Sequence, residues 1–431
     1  MFAAMLIKNR IYLLPYSLLV IAMVAFLCTH APYVEQDIDP SYLLFGASRP
    51  PLYPFFIWLF RWAGYAQFYL IMWAQALLLL GSLFYARVWL RSKLFLSDFA
   101  VFLMCLLMIV TVAMHFQVWF IQSEGLALPF FIFAFFALIE CFYQFSFKKL
   151  FYLSLWASVL VLTRLQFYYF YVLFGLLCVW YLWQRIPLQR FVLGAMILFG
   201  SMSATILVDH AYHDIKHGFF ADAPYGSLLI LVQTLYLAEN NAADYFADPS
   251  AKRVMKTLIT QRNAQHLNQD AHLASIFKPS FLQVAYQGYS RNYLAIQDII
   301  ERTLKTSIEN RGGMAANLQA NQTAAHLNNV LIANEFKKNM VFLLWKFIQC
   351  MGGVPLFLFF LILLSVSLFA VIMTPLRALT LPQAFLIVVT LATVLNALII
   401  ALCNPDLTVY FCYSQFMLYC LAGFLCREKQ C

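Results

Sequence analysis

The sequence predicts an all-α polytopic membrane protein with about ten transmembrane helices, interrupted once by a large polar segment. Of its 431 residues, 63% are hydrophobic, 18% are aromatic and only 11% are charged. In soluble globular proteins, roughly a quarter of the residues are charged. The apolar residues also fall in runs of about 18 or more, long enough to cross about 30 Å of hydrocarbon. Composition and run length together place most of the chain in a bilayer.

The apolar runs define the predicted spans in order along the chain. They are residues 11–31, 67–88, 99–116, 125–143, 150–162, 167–183, 191–208, 354–373, 382–402 and 409–425. No small-residue cleavage site follows the first run, so we interpret it as an uncleaved helix rather than a signal peptide. Two shorter stretches, 53–63 and 341–351, are predicted to lie in the membrane interface.

The polar segment divides the chain into three predicted domains. Residues 1–208 form an N-terminal transmembrane module, 209–339 a soluble insertion, and 340–431 a C-terminal transmembrane module. Ala, Leu, Gln, Lys and Glu dominate the insertion, which predicts mainly helical structure. Disorder is the alternative for so long an insertion, although its tyrosines favour packing.

The distribution of basic residues predicts how the chain is oriented in the membrane. Lys and Arg concentrate in cytoplasmic loops, and the short loops on one side are rich in them. They include Arg87, Arg91, Lys148, Lys149, Arg185 and Arg190, whereas the short loops opposite hold only Arg49, Arg61 and Arg164. We expect both termini in the cytoplasm, the insertion outside it, and the chain in the plasma (inner) membrane of the cell envelope. The net charge of +9 is scattered rather than gathered on one soluble face, so no nucleic-acid partner is predicted.

Ionisable residues collect on the predicted outer face. Asp37 and Asp39 lie in the first outer loop, Glu124 in the second and Arg164 in the third. A carboxylate in a partly desolvated cleft can act as a general base, and an arginine offers a planar fork to a phosphate. Each residue also has a simpler interpretation: the aspartates as helix caps, Glu124 as a helix N-terminal charge, and Arg164 as an interfacial side chain.

Several short motifs resemble those of the GT-C glycosyltransferase superfamily, which includes protein O-mannosyltransferase-like and aminoarabinose-transferase-like enzymes. The first outer loop resembles the family's loop in Asp37-Ile38-Asp39-Pro40-Ser41-Tyr42 followed by Arg49-Pro50-Pro51-Leu52-Tyr53-Pro54. Ser123-Glu124-Gly125-Leu126, Leu162-Thr163-Arg164 and Asp406-Leu407-Thr408-Val409-Tyr410 resemble three later elements. Leu165 and Val409 depart from the family, which often has Pro and Arg there.

The resemblance implies that a sugar moves from a polyprenyl-phosphate donor to a lipid, glycan or protein acceptor at the outer face. Asp37 or Asp39 would be the catalytic base. Residues implied to bind the donor phosphate or sugar are Glu124, Arg164, Arg49, Tyr53 and Tyr410. Membrane lipids are the other expected partners.

A polar cluster at the end of the seventh predicted span is a separate candidate. On a continuing helix, His210, His213, Asp214 and His217 share one face, and imidazole with carboxylate could hold zinc or another divalent metal ion. The simpler interpretation is a polar helix end leaving the membrane.

Two other functional classes remain open from the sequence. A transporter or flippase of a lipid-linked or small solute would place charged residues near the midplane, often in repeated halves, and neither pattern is present in this sequence. A polymerase or ligase of surface polysaccharide would also carry a large outer loop.

Overall fold

The computed structural model describes residues 2–34, 39–114, 119–271, 278–308, 315–373, 379–403 and 412–426. The protein is all-α, and its described residues form seventeen α-helices. These are α1 (Phe2–Thr29), α2 (Asp39–Leu43), α3 (Leu52–Trp58), α4 (Gln67–Leu94), α5 (Asp98–Met114), α6 (Ser123–Tyr143), α7 (Phe147–Thr163), α8 (Tyr169–Trp183), α9 (Leu188–His217), α10 (Gly226–Leu237), α11 (Pro249–Ala264), α12 (Pro279–Ile308), α13 (Ala315–Asn334), α14 (Phe336–Cys350), α15 (Gly353–Met373), α16 (Leu381–Cys403) and α17 (Cys412–Leu425). Short 3-10 helices cover Arg61–Ala66, Leu165–Tyr168, Ala242–Tyr245 and Gln269–Ala271.

Several helices are long and apolar enough to cross a membrane, which indicates a membrane protein. In the described part of the chain five meet that standard: Arg61–Leu94, Ser123–Tyr143, Leu165–Trp183, Leu188–His217 and Leu381–Cys403. A sixth arises if α14 and α15, which meet at an angle of 85°, form one broken span.

The described part of every predicted span is largely helical, but the four predicted spans on α1, α5, α7 and α17 are not among these candidates. The helices α5 and α7 have 17 residues each. A helix of that length rises about 25 Å, slightly less than the hydrocarbon thickness of about 30 Å.

The chain divides into two compact units. Unit 1 contains residues 1–207, 359–396 and 408–431, and unit 2 contains residues 208–358 and 397–407. Within unit 1, α6 packs between α4 and α7 and is almost wholly buried. Its first turn therefore holds side chains that contact the neighbouring helices rather than lipid.

Unit 2 has a hydrophobic core of its own, built mainly by α10, α12 and α13 with α11 and α14 packed around them. Tyr236, Tyr289 and Phe342 are wholly buried and their rings are in contact. The polar insertion is mainly helical, as expected, and its tyrosines contribute to a packed core.

One buried arginine connects α11 to the end of α10 in unit 2. Arg262 of α11 donates hydrogen bonds to the carbonyl oxygens of Leu235 (2.6 Å) and Ala238 (2.6 Å) at the end of α10. It also donates to the side-chain oxygens of Asn240 and Asn263, each at 2.9 Å. Burial lowers the pKa of Arg262 to about 10, so the guanidinium stays charged at neutral pH.

Candidate functional site

A backbone contact brings the first two predicted outer loops together. The N–H of Tyr33 donates to the carbonyl of Trp119 at 2.9 Å, and the N–H of Ile121 donates to the carbonyl of Tyr33 at 3.0 Å. Tyr33 and Phe120 form an isolated parallel bridge. These hydrogen bonds therefore hold the first loop beside the start of α6.

The predicted catalytic acids, Asp37 and Asp39, lie where one described segment of the chain begins. Asp37 lies outside the described residues, and so does Tyr410. Asp39 is the first residue of α2, and its carboxylate lies outside the described part. The contacts of the two aspartates therefore stay a prediction.

Glu124 and Arg164, by contrast, lie together. They form an ion pair in which the side chains are only 7% and 12% exposed. Nη1 of Arg164 also donates to the Ser123 hydroxyl at 3.1 Å. Glu124 occupies the first turn of α6, where the helix dipole favours a carboxylate, so its position as a helix N-terminal charge and its contact with Arg164 are compatible.

The first outer loop joins this pair through Tyr42. The hydroxyls of Tyr42 and Ser123 are hydrogen-bonded at 3.0 Å. The guanidinium of Arg49 lies over the Tyr42 ring, 4.5 Å from its centre, and Nε of Arg49 donates to the Ser41 hydroxyl at 3.1 Å. One continuous network thus runs from Arg49 through Tyr42 and Ser123 to Glu124 and Arg164.

Tyr53 lies behind this network and is wholly buried. Its ring packs edge-on against Tyr42, with 4.9 Å between ring centres. Nε2 of Gln75 donates to the Tyr53 hydroxyl at 3.0 Å and to the Gln122 carbonyl at 3.2 Å. Tyr53 therefore positions Tyr42 from inside the fold.

Four polar residues near the site are not predicted from the sequence: Gln75, Gln166, Asn396 and Ser414. Nε2 of Gln166 donates to Oδ1 of Asn396 at 2.7 Å, and Nδ2 of Asn396 donates to the Ser414 hydroxyl at 2.9 Å. Their signal in the sequence is an amide or hydroxyl inside an otherwise apolar run, a costly arrangement in a membrane that often marks function.

Some polar atoms around the network are buried without a hydrogen-bond partner in the described part of the chain. They are the hydroxyls of Tyr169 and Tyr413 and Oε1 of Gln75 and Gln166. Buried polar groups are usually satisfied, and an unsatisfied one costs about 1–3 kcal/mol. Water, a polar ligand or the chain outside the described residues would satisfy these atoms.

The histidine cluster is not arranged as expected. His213 is wholly buried, with Nε2 3.6 Å from Oδ1 of Asp209, whereas Asp214 is exposed. His210 instead contacts Asp222 at 2.8 Å. Among the described residues, no three His, Cys, Asp or Glu side chains are placed to hold a metal ion.

No protein-family model, characterised protein or solved structure matches the chain. A proposal of function therefore has to start from the chemistry of the network in unit 1. That network combines two guanidinium groups, a buried carboxylate and hydroxyl groups, which suits an anionic, hydroxyl-rich ligand such as a phosphorylated sugar.

Proposed function

We propose that the protein is an integral membrane glycosyltransferase of the GT-C type, which moves a sugar from a polyprenyl-phosphate donor to an acceptor at the outer face of the membrane. One observation carries the proposal. Three segments picked out by the sequence, around Arg49, Ser123-Glu124 and Arg164, converge on one network in unit 1. Nothing about helix packing alone requires arginine, glutamate and serine to meet there.

The reaction is a single displacement. The acceptor hydroxyl loses its proton to Asp37 or Asp39, and its oxygen forms a bond to the anomeric carbon of the sugar. The bond between that carbon and the phosphate oxygen breaks, and polyprenyl phosphate leaves with the electron pair. A positioned general base contributes about 100- to 10,000-fold to such a step.

The donor phosphate is assigned to Arg49 and Arg164. Among the described side chains, Arg49 forms no ion pair, so its charge is available to an anion. The charge of Arg164 is balanced by Glu124, and a phosphate would share this guanidinium with the carboxylate. Bidentate contacts between arginine and phosphate are strong and directional, which suits a leaving group that gains charge.

The proposal includes the topology. All ten predicted spans cross the membrane, both termini lie in the cytoplasm, and the network and the insertion lie outside. The basic residues at the other ends of the helices, such as Arg87, Lys149 and Arg185, favour this orientation. We assign acceptor recognition to the insertion, since long ordered insertions are usually functional.

The test is transfer by the purified chain in phosphatidylcholine nanodiscs. A panel of radiolabelled polyprenyl-phosphate hexoses and pentoses is incubated with the protein and with membrane extract as the acceptor source. Labelled sugar should move to an acceptor, with one polyprenyl phosphate released per sugar. Movement of the intact lipid across the bilayer without cleavage would indicate a flippase instead. Joining of preformed glycan chains without use of these donors would indicate a polymerase or ligase.

A further inference from the structure

We propose that the end of α4 far from the network carries a second site, which binds a phosphate group. The site lies in unit 1 beside Arg87 and Arg91. Arg87 lies roughly 18 Å along α4 from Gln75, which contacts Tyr53. It is therefore separate from the proposed donor site and does not depend on the proposed reaction.

A cavity marks the place. It has a volume of about 480 Å³ and is lined by Arg87, Val88, Arg91, Ser92, Phe95 and Leu96. Phe95 adopts a left-handed conformation (φ 56°), which ends α4 and turns the chain so that Phe95 and Leu96 lie beside the last turn of the helix. Pockets of about 300–1,000 Å³ hold small ligands.

The charges around the cavity are unbalanced. Asp98, at the start of α5, accepts from both arginines: its carboxylate lies 3.2 Å from Nη2 of Arg87 and 2.8 Å from Nη2 of Arg91. Among the described residues, two guanidinium groups therefore share one carboxylate, and one positive charge is left over. An anion in the cavity would complete the balance.

Arg87 distinguishes this place from an ordinary basic helix end. Arginines at a membrane interface usually extend their charged groups into water. The side chain of Arg87 is only 9% exposed, and the ring of Tyr16 covers its guanidinium at 4.4 Å. Nε of Arg87 is buried without a hydrogen-bond partner among the described residues. A buried donor of this kind is costly, which sets Arg87 apart from an arginine that only solvates a helix end.

The lining indicates the class of ligand. Arginine forks match the oxygens of a phosphate mono- or diester, and the Ser92 hydroxyl adds a further donor. The side chains of Val88 and Phe95 are exposed beside the charged groups and offer apolar contact. A phospholipid head group and a free phosphate share this chemistry.

The experiment measures thermal unfolding of the full chain in phosphatidylcholine nanodiscs, followed by tryptophan fluorescence. One arm adds inorganic phosphate against chloride at equal ionic strength, and the other replaces part of the lipid with phosphatidylglycerol. A stabilisation in either arm supports the site, because a ligand that binds only the folded state raises the unfolding temperature. The first arm reports a soluble phosphate and the second a head group.

Variants of the residues that line the cavity test whether the stabilisation comes from this site. Arg91 is 41% exposed, so Arg91→Gln should fold, yet its response should need about tenfold more ligand because a charge-assisted contact is lost. Arg91→Lys should respond in part, and Ser92→Glu, which puts a carboxylate in the cavity, should not respond. Arg190→Gln, an exposed arginine that does not line the cavity, is the matched control and should respond like wild type. The proposal is overturned if wild type responds in neither arm, or if Arg91→Gln and Ser92→Glu respond as wild type does.

Discussion

The carboxylate of Glu124, in the first turn of α6, forms an ion pair with the guanidinium of Arg164, which follows the end of α7. The Ser123 hydroxyl accepts a further hydrogen bond from Arg164. The contact joins the second and third predicted outer loops. Ser123 is in turn hydrogen-bonded to Tyr42 of the first loop, and the proposed function depends on this arrangement.

Removal of one partner of this pair should be costly. Glu124→Gln leaves the Arg164 charge largely buried without its carboxylate, and we expect a loss of about 3 kcal/mol in unfolding free energy. The double variant Glu124→Gln/Arg164→Met should recover part of that loss, because no unpaired charge remains. Thermal unfolding in detergent micelles measures both effects.

The chain offers a matched control at the opposite ends of the same two helices. Lys149 of α7 pairs with Glu140 of α6 at 3.3 Å, but its side chain is 26% exposed. Lys149→Gln should therefore cost less than about 1 kcal/mol. Equal losses for Glu124→Gln and Lys149→Gln would contradict the special position of the Glu124–Arg164 pair.

The predicted topology can be read with reporter fusions. Fusions at Ser92, Lys148 and Gln184 should report the cytoplasm, and fusions at Gln122 and Asn263 should report the outside, as the distribution of basic loop residues predicts. An external signal from Lys148 would reverse α6 and α7 and place Glu124 and Arg164 on the cytoplasmic side. That result would exclude transfer at the outer face.

Arg262 should be essential to the packing of unit 2. Arg262→Met leaves the carbonyls of Leu235 and Ala238 without their donor, and we expect a cost of about 2–4 kcal/mol. Hydrogen exchange of the full chain should then quicken in residues 226–237. Arg253→Met, an exposed change on the same helix, is the control. Unchanged exchange in Arg262→Met would show that its hydrogen bonds contribute little.

The helices could be predicted from sequence because the length of an apolar run can be read from consecutive residues. The run at 125–143 falls on α6, Ser123–Tyr143, within two residues. The predicted spans on α5, α7 and α17 lie on helices of fewer than 18 residues, because an apolar run does not fix where the backbone hydrogen bonds end. The polar insertion could be predicted as helical from composition, but its core depends on contacts between distant helices.

The candidate site could be predicted in part. The order, spacing and shared side of the ionisable residues predicted one site that contains Glu124 and Arg164, and the structure joins these two in an ion pair. The hydrogen bonds of Gln75 with Tyr53 and of Gln166 with Asn396 depend on which helix faces which, and that information is not local.

At the end of α9, helical spacing predicted a shared face for the histidines and Asp214 that the structure does not show. His213 and Asp214 are adjacent, so their side chains differ by about 100° around the axis, and only one of them enters the packed face. Gly218, with φ 74°, then ends the helix, and the chain that follows supplies Asp222 to His210. Among the described residues, the ligand set inferred from a single helix is therefore not brought together.

The central claim is that an aspartate of the first outer loop removes a proton from an acceptor beside Arg164. The most direct measurement is the rate of sugar transfer by Asp37→Asn and Asp39→Asn in nanodiscs, with Glu35→Gln from the same loop as the control. An amide keeps the shape of the carboxylate but does not accept the proton. One of the two aspartate variants should lose about 100- to 10,000-fold in rate while its thermal unfolding stays like that of wild type. Transfer by both variants at close to the wild-type rate would contradict the claim.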